Sequence, residues 1–248
     1  ELRAGTYDAG KHKARSFVKF IGLLDNGGSG QDIVSATFKL RNWYSGSCAS
    51  STIRISRIAQ TWTVGDLTWG NQPTVTSTGS STFSQAFGYS ASCDAGGNQA
   101  AWDATAIVQA WANGSANYGI RVAADNEASN ATWRKYRSSE HSNTDTRPRM
   151  AVTYNSYPST ATAPAPAGAV TNGGVKYVNK KTFNVSSVVK DPDGGAVKGL
   201  FNVSGPAGSW SNLAGTAVSS GGTSVRSYTL NTDGTYTTTV RAPKTPLG

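Results

Sequence analysis

The chain has 248 residues, enough for one or two domains, and with 37% hydrophobic residues it can bury sizeable cores. Its 28 glycines and its many Ser and Thr favour short strands and frequent turns, so an all-β protein is the expectation. Lys and Arg outnumber Asp and Glu by 23 to 14, and the longest apolar runs fall far short of the roughly 20 residues of a helical membrane span, which argues against one.

Two-residue alternation opens the chain. In Arg15-Ser-Phe-Val-Lys-Phe20, Ser16, Val18 and Phe20 share one face while Arg15, Phe17 and Lys19 share the other, which predicts a strand. Asn26-Gly-Gly-Ser-Gly30 reads as a flexible turn. Ile33 to Tyr44 alternates again, with Ala36, Phe38 and Leu40 inward and Thr37, Lys39, Arg41 and Trp43 outward. Thr52 to Ala59 predicts a third strand, and Thr61 to Pro73 an irregular segment holding two tryptophans.

Trp102 to Gly114 is the one clear helical stretch. Ala104, Ile107, Val108 and Trp111 stand at i, i+3, i+4 and i+7, which puts all four on one face that must be buried. Asp103 reads as the N-cap, and Gly114 as the left-handed residue that closes the helix. Tyr118 to Ala123, Ala131 to Ser138 and Arg149 to Tyr154 predict further strands. One shared core for these pieces requires an antiparallel β-sandwich with the helix across one end.

Tyr157 to Gly168 is rich in Pro, Ala and Thr without apolar periodicity, so it reads as an extended, semi-rigid linker. The expected domains are 1–155 and 169–248, joined by 156–168. In the second, Lys181 to Lys190, Val197 to Val203, Ser224 to Leu230 and Gly234 to Ala242 predict short strands between glycine turns, the spacing of a small immunoglobulin-like sandwich. Both parts are basic: residues 1–155 hold 15 Lys/Arg against 11 Asp/Glu, and 156–248 hold 8 against 3. An anionic partner fits this balance, whether an acidic polysaccharide, a teichoic acid-like polymer or nucleic acid, and so does a solvated basic surface with no specific partner.

Cys48 and Cys93 lie in Ser/Gly-rich stretches where an unpaired thiol would be exposed. A disulfide is the simpler reading and points to an extracytoplasmic home; two free surface thiols are the alternative. No second Cys or His stands at ligand spacing beside either one, so no metal site is expected there.

Several patterns come in the order seen in the DNRLRE domain: RSFVKF at Arg15, IVSATFKL at Ile33, LTWGNQP at Leu67, WDATAIVQAWANG at Trp102, YGIRVAA at Tyr118, YRSSE at Tyr136 and RPRMAVTY at Arg147. The first part resembles that family, a β-sandwich also treated as a carbohydrate-binding module and common in secreted actinobacterial Rhs-repeat proteins. The second resembles the fibronectin III or immunoglobulin-like modules that follow such domains. The fold class implied is all-β, a jelly-roll-like antiparallel sandwich with one short helix plus a small immunoglobulin/fibronectin III-like sandwich. Two features depart from the family. Its members usually carry a further strand before the LRAG-like segment with which this chain opens, so an unpaired edge or open groove is expected there, filled by upstream residues of a longer protein in the favoured reading, or else by a strand donated from a neighbouring chain or by the chain's own tail. The cysteine-bearing inserts are an elaboration.

Chemistry is thinly supplied. His12 and His141 are the two histidines, Glu1, Glu127 and Glu140 the three glutamates, and no GxSxG elbow is present, so no catalysis and no cofactor are expected. Glu140 with Arg147 or Arg149 reads as a structural ion pair. Asp191 and Asp193 in DPDGG read as a plain turn, calcium needing further oxygen ligands. The resemblance marks Trp62, Trp69, Trp102 and Trp111 as framework, hence core. Trp43 shares a face with Lys39 and Arg41, and Trp133 with Lys135 and Arg137. Each pairs an aromatic plate with cations, as an acidic sugar requires, although amphipathic surface cover is the plainer account. The function expected is a non-catalytic secreted or cell-surface module that binds polysaccharide, acidic by preference, within a larger Rhs-type or polysaccharide-active protein. The alternative is a structural module that contacts neighbouring subunits or other domains of the same chain. Nucleic acid has only net charge behind it.

Overall fold

The computed structural model describes residues 1–24 and 31–243; the turn expected at 26–30 lies outside them. Strands hold 47% of the residues and helices 7%, so the protein is all-β. The chain divides into two compact units, Glu1–Tyr154 and Asn155–Gly248. No helix among the described residues is long and apolar enough to cross a membrane.

The first unit contains β1 (Leu2–Tyr7), β2 (His12–Ala14), β3 (Ser16–Val18), β4 (Asp32–Ser45), β5 (Ile53–Ile58), β6 (Val75–Phe83), β7 (Asn98–Asp103), α1 (Thr105–Ala112), β8 (Ile120–Ala124), β9 (Arg134–Tyr136) and β10 (Arg149–Asn155). One sheet runs β10-β4-β9-β1-β2, with β7 also paired to β4; the other runs β3-β8-β5-β6. Every pairing with a resolved register is antiparallel. The LRAG segment is β1, paired to β9 through Leu2–Ala4 and to β2 through Gly5–Tyr7. Gly5 sits at φ +98°, and a Cβ there would collide with the Thr132 carbonyl, so only glycine lets β1 pass this close.

Both sheets bury their apolar faces in one core: Phe38, Leu40 and Trp102 from the first, Ile53, Ile55 and Val122 from the second. The alternation expected in β4 holds from Ala36 to Trp43, with even positions buried and odd ones half-exposed. The helix is shorter than its pattern. Trp102 and Asp103 belong to β7, where Trp102 is buried and its indole N–H donates to the Ile53 carbonyl at 3.0 Å. The apolar helix face is buried as expected, with Ala104, Ile107, Val108 and Trp111 all in the core. Ala104 is the N-cap, and Asp103 acts from one residue upstream, accepting the Thr105 backbone N–H at 2.9 Å. At the far end Gly114 takes φ +96°, its N–H donates to Trp111 and that of Ser115 to Ala110, closing the helix as expected.

Cys48 and Cys93 are bonded, with Cα atoms 5.5 Å apart, tying the β4–β5 loop to the segment before β7. The ion pair expected of Glu140 is absent among the described residues: Arg149 pairs with Asp145 at 2.7 Å, while Arg147 donates to the His141 carbonyl.

The second unit contains β11 (Ala165–Pro166), β12 (Val170–Asn172), β13 (Val175–Tyr177), β14 (Thr182–Val188), β15 (Ala196–Gly205), β16 (Gly208–Ser219), β17 (Thr223–Thr229) and β18 (Thr237–Arg241). Its sheets are β11-β14-β17 and β16-β15-β18, beside a β12-β13 hairpin. Val185, Phe201, Val203 and Tyr228 form its core. The Pro/Ala/Thr stretch is tied down rather than free. Thr162 N–H donates to Val188, Ala167 N–H to Asn184, and β11 pairs with β14. Asp191 and Asp193 form a turn in which Asp191 accepts the Asp193 N–H, and Asp193 accepts from Ser156.

Candidate functional site

The outer face of the β4/β9/β1 sheet carries five cations and two aromatic rings. Arg3 in β1 stands opposite Lys135 in β9, and Lys135 opposite Tyr44 in β4. Just past β9, the Arg137 N–H donates to the Arg41 carbonyl at 3.0 Å, bringing it beside β4. Lys39 and Arg41 are half-exposed, four and two residues before Trp43.

A bulge builds the aromatic part. Pairing between β4 and β9 shifts register between Asn42 and Tyr44, which breaks the alternation and leaves Trp43 half-exposed and Tyr44 exposed, with Ser45 buried next to them. Buried Asn42 holds the bulge: its amide donates to the Tyr44 and Lys135 carbonyls at 2.8 and 3.1 Å, and its side-chain oxygen accepts from Phe87 N–H and Ser45 hydroxyl. The cations close on the rings. The Arg137 guanidinium carbon is 4.7 Å from the Trp43 centroid, and Lys135 Nζ is 5.4 Å from Trp43 and 5.3 Å from Tyr44. Glu1 is the acid beside this cluster, bonded to Arg3 at 2.6 Å and 3.9 Å from Lys135.

Trp133 stands apart from this cluster. Residues 130–132 form a 3-10 turn, so β9 begins only at Arg134, and Trp133 is 7% exposed. Tyr7 meets its ring edge-on at 4.7 Å, and Gly46 packs against its Cβ. It offers no plate to a ligand. The structure thus brings together Trp43, Lys135, Arg137, Lys39 and Arg41 of the six residues read from the sequence, and adds Tyr44 and Arg3. Tyr44 was hidden because strict alternation turns it inward; a bulge leaves no mark in the apolar pattern. Arg3 carried the one available signal, a cation in the LRAG segment.

A second correction concerns Trp69. Trp102 and Trp111 are core residues and Trp62 is half-buried, but Trp69 is 54% exposed.

In the second unit a cleft of about 770 Å³ opens among Phe183, Val185, Val203, Tyr228, Leu230 and Tyr236. Lys176, Lys180 and Lys181 also line it, against one acid, Asp233. The Tyr228 hydroxyl is buried without a hydrogen-bond partner among the described residues, and burial pushes its pKa up.

The profile of carbohydrate-binding module family 96 matches residues 5–154, more than half of the chain and nearly all of the first unit. Among curated proteins none matches.

Proposed function

Since the chain belongs to carbohydrate-binding module family 96, we propose that its first unit binds an anionic polysaccharide, without transforming it, through the outer face of β4, β9 and β1. One observation carries the reading: Lys135 and Arg137 lie over Trp43 and Tyr44 on a sheet face that also carries Arg3, Lys39 and Arg41, with Glu1 paired to Arg3. Guanidinium groups grip carboxylates and sulfates in bidentate fashion, and aromatic rings accept the C–H faces of sugars, so this face matches a sugar that carries both features. The Cys48–Cys93 disulfide supports a secreted or cell-surface setting. The two three-stranded sheets of the second unit support an immunoglobulin/fibronectin III-like module within a larger polysaccharide-active or Rhs-type protein.

The test is retention on a panel of polyuronates, sulfated glycans and neutral glucans at low and high salt. Binding to an acidic polymer should weaken as salt screens the face. Lys135→Ala combined with Arg137→Ala should weaken it at least about tenfold, the equivalent of one charge-assisted hydrogen bond. Retention that ignores both salt and these substitutions would refute the assignment.

A second reading applies to the second unit. Thr238 of β18 lines the 770 Å³ cleft, and β18 pairs only with β15, leaving its other edge open among the described residues. An edge strand beside an apolar cleft accepts an added strand, and the surrounding lysines favour an acidic one, which makes this unit a protein-interaction module. Amide signals of Thr237–Arg241 that ignore peptides alternating Val and Glu, while shifting with acidic sugars, would refute it.

A further inference from the structure

Trp69 lies in the β5–β6 loop, folded over the outer face of the other sheet, and the loop is held by its own polar contacts. Trp62 anchors its start, packing against Phe17 of β3 at 5.8 Å and donating its indole N–H to the Tyr118 carbonyl at 2.7 Å. The Asn71 amide donates to the Asp66 carbonyl, and the Thr63 hydroxyl to the Asp66 carboxylate. The Gln72 amide donates to the carbonyl of Trp69 itself at 3.1 Å.

Arg15 lies against one face of the indole, its guanidinium carbon 4.8 Å from the ring centroid. Its position is fixed by three bonds, two to the Glu127 carboxylate at 2.6 and 2.7 Å and one to Gln72 at 2.9 Å. The rest of the ring meets solvent. Val64 in the same loop is 82% exposed, and a Cβ added at Gly65 or Gly70 would meet nothing within 4 Å.

A lone exposed side chain needs no special explanation, but an exposed tryptophan backed on one face by an arginine that is itself fixed by three bonds does. We propose that Trp69 is the platform of a second glycan contact, taking an uncharged hexose or pentose ring of a polysaccharide by stacking. The charge follows from the partners. Glu127 neutralises Arg15, the one cation over the Trp69 ring among the described residues, and Arg121 of β8 is half-buried beside the same pair, whereas Trp43 has two cations over its ring. The two outer faces lie on opposite sides of one core, so a single unit holds two chains, or two segments of one, and gains by avidity.

This inference rests on the carbohydrate-binding reading of the first unit but not on the basic face, and the experiment separates them. The seven indole N–H signals of the full chain are followed by NMR, that of Trp69 being assigned with Trp69→Phe. The probes are cello-, xylo- and mannohexaose, with hexagalacturonate as the acidic counterpart. A neutral hexaose should shift the Trp69 signal to saturation, equally at low and high salt and equally in Lys135→Ala/Arg137→Ala. Trp69→Ala should weaken that binding about tenfold or more with an unchanged melting temperature. If hexagalacturonate shifts Trp43 while no neutral hexaose shifts Trp69, the basic face stands and this proposal falls. If Trp69 responds to hexagalacturonate alone, and the response vanishes at high salt, the assignment to a neutral ring is wrong.

Discussion

The Arg137 guanidinium lies over the indole of Trp43, 4.7 Å from its centroid, although the two residues are 94 positions apart in the chain. Lys135 joins it over the same ring, so one face of the sheet carries an aromatic plate already in contact with two cations. A partly exposed contact of this kind contributes about 0.5–1 kcal/mol. A double-mutant cycle on Trp43→Leu and Arg137→Ala, read by denaturant melts without ligand, should return a coupling in that range. Zero coupling would mean that Arg137 rests over the ring without preorganising it.

The disulfide closes a loop with a sequence separation of 45. On the chain-entropy account a loop of that size stabilises the first unit by about 4 kcal/mol. At about 2–4 °C per kcal/mol for a unit of this size, reduction should lower its melting temperature by roughly 10 °C. Cys48→Ser/Cys93→Ser should melt where the reduced protein does and be insensitive to reductant. A melting temperature that reduction leaves unchanged would contradict the account.

The parts of the fold that could be read from the chain are those where burial alone sets the pattern. Ala104, Ile107, Val108 and Trp111 face the core, so their spacing shows a helix; Ala36, Phe38 and Leu40 show a strand for the same reason. β6 and β16 could not be read. Val75–Phe83 is mostly Ser, Thr and Gly, Gly208–Ser219 holds few large apolar side chains, and neither buries a residue fully; partners β5 and β15 make them strands. Trp102 looked helical because Asn98–Trp102 has no β-branched residue, yet pairing with β4 claims it. The aromatic site was half legible for a related reason: alternation put Trp43 on the outward face with Lys39 and Arg41, but the strand pairing that brings Lys135 and Arg137 over its ring, the Asn42 bulge that exposes Tyr44 and the Tyr7 ring that covers Trp133 are tertiary events.

Arg134 is fully buried with no acidic partner among the described residues, its charge met by three backbone carbonyls: Ala131 at 2.6 Å, Trp133 at 3.0 Å and Ala49 at 3.3 Å. Burial holds its pKa below the usual guanidinium value. Two effects oppose each other in Arg134→Met. Removing a desolvated charge favours the variant, while stranding the Ala131 and Ala49 carbonyls disfavours it by about 1–3 kcal/mol each, the Trp133 carbonyl still accepting the Gly46 N–H at 2.9 Å. The carbonyl cost should win, giving a loss of about 2–4 kcal/mol in urea melts. A variant as stable as the parent would show that desolvation of Arg134 cancels its bonds.

The start of α1 gives the last prediction, a dependence on pH. Asp103 accepts the Thr105 hydroxyl at 2.6 Å and the Thr105 backbone N–H at 2.9 Å, and the Thr105 hydroxyl oxygen accepts from the Ala36 N–H of β4 at 2.9 Å, so one carboxylate ties β7, α1 and β4 together. The hydroxyl first, and the backbone N–H second, hold the Asp103 pKa below its ordinary value against the opposing effect of burial. Because the folded value is the depressed one, the contribution is complete above the ordinary aspartate pKa of about 4, and it is lost as pH falls through the folded value. Asp103→Asn keeps an oxygen acceptor for the backbone N–H but loses the charge. It should cost about 0.5–1 kcal/mol at neutral pH, the range of an exposed helix cap. Measured by urea melts across acid pH, the gap between the two proteins should shrink below pH of about 4 and close where Asp103 is protonated in the fold, since every other carboxylate is common to both. A gap that stays constant into strong acid would show that the charge of Asp103 contributes nothing to the helix start.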